Sequence, residues 1–260
     1  MSVTHRRKIY ENPRMWGKSP HETVLQRIEL TSTAVPTGVQ TILEIGSGDG
    51  LVIDALLKVG YTPIALDLSF NALKHVNSDK RVQGDAAHLP FPHNSFDLVL
   101  CCELLEHIPD SIFARVLVEI AKTAKEYIIV TVPYQEKLEW NYARCTNCGC
   151  IFNGAYHVRS FNEKDLKSLF KDFRCISLKQ IVEVLHADRT IGLELFIRHR
   201  LASEYLYFAP SVTCPLCFTL IDKRPDRNCM GWIASGMRYL YRIFDRKKSP
   251  LWYLAVYEKS

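Results

Sequence analysis

An α/β architecture, an open and mostly parallel sheet with helices on both faces, follows from three observations in the 260-residue chain. Short apolar runs of strand length alternate with helical periodicity between residues 40 and 134. A glycine-rich turn, Gly46-Ser47-Gly48-Asp49-Gly50, joins the first strand to the first helix of that alternation. Asp67 and Asp85 then stand at the ends of the next strands, where open sheets of this kind bind ligands.

Residues 23–31 have helical spacing (Val24, Leu25, Ile28), broken by Pro36 and Gly38. The first strand is the apolar run 40–45, and a one-faced helix follows over 51–59, closed by Gly60. Strand two is 63–68, a short helix 69–76, and a brief strand three 81–84. Residues 96–102 are apolar almost throughout, as expected of a strand covered on both faces. A helix over 110–124, with Asp110 or Ser111 as its N-cap, leads to a β-branched strand at 127–132. The rhythm resumes with a helix at 162–170, a sixth strand at 175–184 and a last strand at 251–258. Two stretches, 135–159 and about 188–248, break the pattern, and each carries a Cys-x-x-Cys pair.

Composition is that of a globular chain, 47% hydrophobic and 23% charged, long enough for a sizeable core. A formal charge of +5 permits an anionic partner without requiring one. The polar, basic stretch 1–14 has no apolar run after it, which argues against a secretory signal. No window approaches the roughly 18 apolar residues of a membrane span. The expectation is a cytoplasmic protein, whose nine cysteines serve burial or metal rather than disulfides. There is no internal repeat, and oligomeric state is not legible.

The turn itself discriminates between ligand classes. Glycines there let the backbone bend tightly and expose amides at a helix N-terminus. A dinucleotide fingerprint would need its third glycine where this chain has Leu51. Glycine at position 50, with Glu44 inside the strand, fits a methyltransferase turn better. Asp67 is suited to accept both hydroxyls of a ribose, and Asp85-Ala86 to hold an adenine edge.

With those residues in view, ILEIGSGDG, IALDLS and GDAAHLPFPHNSFDLVLCCELLEHIPD resemble the S-adenosyl-L-methionine (SAM)-dependent methyltransferases of class I, in the type 11 group. The resemblance runs from about residue 42 to 132, with an echo in HVRSFNEKDLKSLF. It implies a Rossmann-like, seven-stranded core with an antiparallel last hairpin. It also implies that Glu44, Gly46, Ser47, Gly48, Asp67 with Leu68, Asp85, Ala86 and Glu103 line the SAM pocket. Cys101 and Cys102 depart from the family's small or polar residues and read as buried strand residues rather than nucleophiles.

Methyl transfer from a sulfonium is an in-line displacement whose reactivity belongs to the cofactor. The protein aligns the acceptor and, for a hydroxyl, removes a proton. His107 is the candidate base, an imidazole that titrates near neutrality, or equally a residue that packs the following helix. Glu106 is a second option, more often a solvated helix-end charge. Tyr10, Trp16 and Tyr134 are candidates to close over the acceptor or simply to pack. His157 contacts acceptor or metal on one reading and a loop carbonyl on the other.

Cys145-Thr-Asn-Cys148-Gly149 and Cys214-Pro-Leu-Cys217 are knuckle-like pairs that together make a closed tetrahedral Cys₄ site for structural Zn²⁺. Their reading is a zinc clasp uniting two insertions into one cap over the acceptor site; a redox dithiol or free thiols are the rivals. Cys150 and His157 are reserve ligands, Cys175 a core residue, and Cys229 uninformative.

The domain organisation expected is a helical leader or lid at 1–38, a SAM-binding core at 39–134, a first insertion at 135–160, a core continuation at 161–187, a second insertion at 188–249 and a last core strand at 250–260. Residues 230–244 have a helical stripe (Ile233, Met237, Leu240, Phe244) expected to pack on the domain, leaving Arg238, Arg242, Arg246, Lys247 and Lys248 in water. The activity expected is SAM-dependent methyl transfer to a small molecule or biosynthetic intermediate. The alternatives are RNA or protein methylation with the zinc module as recognition element, and an inactive methyltransferase-like binding protein. Nucleic acid is a permitted partner that nothing in the pattern indicates.

Overall fold

Leu43 and Ile45, Val99 and Cys101, and Ile128, Val130 and Val132 recur with a period of two, which turns them to one face of a sheet where they share one buried core. The computed structural model describes residues 3–185, 192–201, 205, 212–221, 228–244 and 248–260. Its main sheet has seven strands: β1 (Ile42–Ile45), β2 (Ile64–Asp67), β3 (Arg81–Gln83), β4 (Phe96–Cys102), β5 (Ala124–Pro133), β6 (Phe173–Leu185) and β7 (Lys248–Lys259). The order across the sheet is β3-β2-β1-β4-β5-β7-β6. Neighbours from β3 to β5 run parallel. β7 lies antiparallel to β5, in register from Trp252 opposite Pro133 to Glu258 opposite Tyr127. This is a mostly parallel Rossmann-like sheet.

The helices are α1 (Val3–Tyr10), α2 (Glu22–Thr33), α3 (Leu51–Lys58), α4 (Phe70–Leu73), α5 (Asp110–Thr123), α6 (Glu163–Lys167), α7 (Gly192–Phe196) and α8 (Cys229–Phe244). Val116 and Ile120 of α5 and Leu166 of α6 join the core beside β1, β4 and β5. Ile53 of α3 and Leu73 of α4 pack with Ala65 and Val76 in a second cluster. Gly60, in the left-handed region at φ +93°, ends α3, and Tyr61 N–H donates back to Leu56 O at 3.0 Å.

Three local expectations need correction. α5 takes Pro109 as its N-cap, so Asp110 and Ser111 fall inside the helix. The Asp110 carboxylate pairs instead with Arg159 at 2.7 Å. β5 starts at Ala124 directly out of α5, because Ala124 already pairs with Phe96. The helix expected over 162–170 is a single turn, capped by reciprocal Asn162 and Asp165 hydrogen bonds.

Asp97 ties the start of β4 to the entry of β1. Its carboxylate accepts from the Thr41 and Gln40 amides at 2.9 and 3.1 Å, from the Thr41 hydroxyl and from Lys125. The Thr41 amide first, then Lys125 and Gln40, hold this carboxyl well below its usual range. A folded-state depression stabilises the protein fully above the unfolded value, about 3.9, and the contribution is lost as pH falls through the folded value. Asp97→Asn is therefore expected to lower stability at pH 7 by about 1–3 kcal/mol. In urea titrations the gap to wild type should close as the pH drops below about 4; a gap independent of pH would refute the assignment.

The chain divides into two compact units. Met1–Glu136, Arg159–Val182 and Trp252–Ser260 form the first, and Lys137–Val158 with Glu183–Leu251 the second. In the second unit, Tyr142–Arg144 pairs antiparallel with Ile151–Asn153, and Val212–Thr213 with Leu220–Ile221. α7 continues into a π turn, Ile197–Leu201, against which α8 packs.

The orientation of α8 reverses the expected one. Among its described side chains the buried positions are the small Gly231 and Ala234, while of the predicted stripe Ile233 and Leu240 are exposed and Met237 is half-buried. The cause is a polar core. Arg198 is buried, pairs with Glu194 at 2.7 Å and donates to Ser235 Oγ at 3.1 Å, and small residues let the helix approach it. The side chains of Arg238, Arg242 and Phe244, and residues Arg246 and Lys247, lie outside the described ones. No helix among the described residues is long and apolar enough to cross a membrane.

Candidate cofactor site and cysteine cluster

β1 ends in a turn that only glycine can make. Gly46, Gly48 and Gly50 take φ of +74°, +55° and +87°. A Cβ on Gly46 would stand 2.8 Å from Leu104 Cδ1, and one on Gly50 3.0 Å from the Val76 backbone. The Gly46 and Ser47 amides donate to Leu66 O at 2.7 and 3.1 Å, fastening the turn to β2. α3 begins immediately beyond, so its N-terminal end faces the turn.

Carboxylates gather at the same ends of the strands. Asp67, last residue of β2, accepts from Gly48 N–H at 2.9 Å and Ser69 N–H at 2.7 Å. Burial raises its pKa against those hydrogen bonds. Glu44 is buried, and desolvation pushes its carboxyl well above the usual range despite the nearby Arg27 cation. Glu44 Oε2 and Ser47 Oγ are buried without a hydrogen-bond partner among the described residues. Buried polar atoms without partners are costly, which makes these two candidates for contact with a polar ligand.

The other predicted positions are placed as follows. Leu68 O accepts from Gln83 Nε2 at 3.1 Å. Asp85 follows β3, next to the buried Ala86, and is held by Arg6 Nη2 at 3.0 and 3.2 Å. Glu103, at φ +53° just beyond β4, accepts from Trp252 Nε1 at 2.7 Å. Such a backbone is uncommon outside glycine and clusters at functional sites. His107 closes the 3₁₀ turn Leu105–His107, half-buried, its ring edge-on to Tyr10 at 6.1 Å. Glu106 is fully buried, contrary to the solvated reading, because this turn points it inward from the end of β4. Burial, then Glu103, raises its pKa well above the usual carboxylate range. Tyr134 stacks at a tilt on Tyr253, 4.8 Å between ring centroids, a packing role.

Sequence reasoning missed Arg6, Glu11, Arg27 and Trp252. Glu11 accepts from the Phe70 and Asn71 amides at 2.9 and 3.0 Å, capping α4 from the N-terminal segment. Trp16 donates to Tyr10 O at 2.8 Å, and its ring lies 3.2 Å from where a Gly48 Cβ would stand. Gly17 N–H donates to Asp49 at 3.1 Å. Residues 6–17 are thus fastened over the glycine turn. No periodicity or motif marks such pairings, which join single residues 32 to 79 positions apart.

In the second unit, each Cys-x-x-Cys occupies a hairpin tip. Cys145 N–H donates to Cys150 O and Gly149 N–H to Cys145 O; in the other, Cys214 N–H donates to Thr219 O and Phe218 N–H to Cys214 O. Phe218 takes the left-handed φ, +58°, that Gly149 supplies in the first knuckle. Cys145 and Cys217 Sγ stand 3.5 Å apart, Cys148 and Cys214 Sγ 3.6 Å, and all four lie within 4.8 Å of one another. A tetrahedral ion with Zn–S bonds of about 2.3 Å needs sulfurs about 3.8 Å apart. Hydrogen bonds with Thr219 lower the Cys217 thiol to about 5, while burial raises that of Cys214. Leu216 N–H points at Cys214 Sγ at 3.4 Å, a contact suited to a thiolate. Cys150 Sγ turns instead toward Ile151 O, and His157 N–H donates to Asn153. Cys101 and Cys102 are buried with thiol pKa values raised by desolvation, which makes them core residues.

Residues 43–127 match the family described as methyltransferase domain. A "probable S-adenosylmethionine-dependent methyltransferase" of Mycobacterium tuberculosis is 29% identical over 156 residues, 58% of this chain and 53% of that protein. The ubiquinone biosynthesis O-methyltransferase of Thiobacillus denitrificans is 33% identical over 127 residues, 44% of this chain and 52% of that protein. The chain spans about half the length of these curated relatives. A SAM-dependent methyltransferase structure from Archaeoglobus fulgidus has the same fold, with a TM-score of 0.56 and 18% identity over 92% of this chain and 94% of that one. By its glycine turn, its sheet order and these matches, residues 43–127 are similar to a methyltransferase domain, and the chain has the fold of the SAM-dependent methyltransferases.

Proposed function

We propose that the chain binds SAM at the Gly46–Gly50 turn and transfers its methyl group to an oxygen of a small-molecule acceptor in the cytoplasm. The observation that carries the reading is the convergence of three left-handed glycines with Glu44, Asp67 and Asp85 at the ends of β1, β2 and β3. Gly46, Ser47 and Gly48 support the methionine part, with Glu44 facing its ammonium. Asp67 with Leu68 takes the ribose, Asp85 and Ala86 the adenine, and Glu103 bounds the far side. Bound there, SAM supplies an activated methyl. His107 removes the acceptor proton, with Tyr10 against its ring. The relatives' O-methyltransferase name supports an oxygen acceptor. Arg159, occupied by Asp110 and lying 3.5 Å from the Phe113 ring centroid, is withdrawn from any basic groove for RNA.

In the second unit, Cys145, Cys148, Cys214 and Cys217 hold a structural Zn²⁺, with no open position for substrate.

Methyl-labelled SAM tests the acceptor class. Label is expected in the small-molecule fraction of a cell extract, and label confined to RNA or protein would overturn that assignment. His107→Gln is expected to lower kcat by about 10²–10⁴-fold while leaving SAM affinity unchanged. An unchanged kcat would return His107 to a packing role.

A further inference from the structure

We propose that Trp252 is a positioning residue of the cofactor site, which aims the Glu103 carboxylate so that the pocket prefers the sulfonium of SAM to the neutral thioether of the product. The inference rests on the reading that Glu103 bounds the SAM pocket. Trp252 Nε1 donates to Glu103 Oε2 at 2.7 Å, a short bond between residues 149 positions apart. The Glu103 backbone is fixed as well: its N–H donates to Thr131 O at 2.9 Å, and its φ is +53°. A residue with a Cβ keeps that backbone only where its surroundings impose it.

The indole is held in turn. The Arg27 guanidinium lies over the Trp252 ring, 5.4 Å from its centroid, and Arg27 Nη1 donates to Thr131 Oγ1 at 3.3 Å. The contacts therefore close on themselves. Glu103 meets Trp252 through its side chain, the indole face meets Arg27, Arg27 meets the Thr131 hydroxyl, and the Thr131 carbonyl returns to the Glu103 amide. These residues come from β7, α2, β5 and the end of β4, all within the first unit. Packing alone would be served by an apolar ring at position 252, and any carbonyl would satisfy an indole N–H. Here the N–H is directed to an ionisable group beside the strand ends where the cofactor is proposed to lie. A donor on a carboxylate favours its charged form and leaves it one orientation, and a fixed negative charge favours a cationic ligand over a neutral one of the same shape.

Trp252→Phe keeps the ring and removes the donor. Calorimetric titration of the full chain should show SAM weakened about tenfold or more, and S-adenosylhomocysteine clearly less. Glu103→Gln should reproduce that pattern, and adding Trp252→Phe to it should cost little further, the mark of two residues acting as one. An equal loss for both ligands would make Trp252 a structural residue and overturn the proposal. So would a loss from Glu103→Gln that Trp252→Phe does not share. Unchanged SAM affinity in Glu103→Gln would instead remove Glu103 from the pocket, and the proposal with it. If Trp252→Phe does not fold, the wild-type protein decides. In protein with isotope-labelled tryptophan, the Trp252 indole N–H resonance, assigned by elimination with Trp16, Trp140 and Trp232 variants, should shift on SAM titration and shift differently with S-adenosylhomocysteine. A resonance that neither ligand moves, or that both move alike, overturns the proposal.

Discussion

Asp67→Ala is expected to weaken SAM and S-adenosylhomocysteine about 10²- to 10⁴-fold in calorimetric titration, the loss of two hydrogen bonds to a charged acceptor at about 1.5–3 kcal/mol each. The same carboxylate also receives the Gly48 and Ser69 amides, so its removal loosens the turn that the methionine part would cross. Asp67→Asn keeps one acceptor oxygen and should fall between. Burial raises the Asp67 pKa, so acidification protonates it earlier than an ordinary aspartate. SAM affinity should therefore begin to fall at a pH above the usual carboxylate range, and Asp67→Asn should remove that dependence. Wild-type affinity in Asp67→Ala would remove the ribose assignment and with it the proposed cofactor pose.

The other large effect is expected in the second unit. Elemental analysis of the purified chain should find stoichiometric zinc, and Cys214→Ser should lose it. Cys214 is fully buried, with Cys148 Sγ at 3.6 Å and its knuckle closed by the Thr219 and Phe218 hydrogen bonds. Apparent zinc-binding energies of about 10–16 kcal/mol in small Cys and His domains exceed what two- and three-residue hairpins supply by themselves. Hydrogen-exchange protection of residues 142–153 and 212–221 should collapse in the variant and in wild type treated with a strong chelator. Cys150→Ser should retain the metal, because its sulfur is not among the four that lie within 4.8 Å of one another. Disulfide formation on mild oxidation, with no zinc in freshly purified protein, would favour the redox dithiol.

What the sequence made legible and what it hid divide along a physical line. β4 was read to the residue, Phe96–Cys102, because a run of consecutive apolar residues bounded by polar ones is a local signal. Gly46, Gly48 and Gly50 were legible because a left-handed turn restricts residue type. The two Cys-x-x-Cys pairs could be joined across 65 intervening positions because thiolates have few other uses at that spacing. Arg6 on Asp85, Glu11 on α4 and Trp252 on Glu103 are single long-range pairings with no repeating pattern behind them. α8 misled for a related reason. Its periodicity was correct, but amphipathicity does not say which face is turned inward once a buried Arg198 competes for the helix. α5 starts at Asp110 as read, and only its cap lies one residue earlier, at Pro109, which makes no side-chain capping bond that a residue pattern could announce.

If SAM binds as proposed, the hold of the single Arg6 Nη2 on both Asp85 oxygens turns cofactor arrival into an exchange reaction. On the proposed pose, one carboxylate is sought both by a guanidinium of its own chain and by the amino edge of adenine. Affinity is then the intrinsic affinity reduced by the fraction of molecules in which the guanidinium has let go. Departure is governed by the same swap in reverse, since the returning arginine displaces the spent nucleoside. Residence time at this site becomes a property of residue 6 as much as of the residues that cradle the ligand.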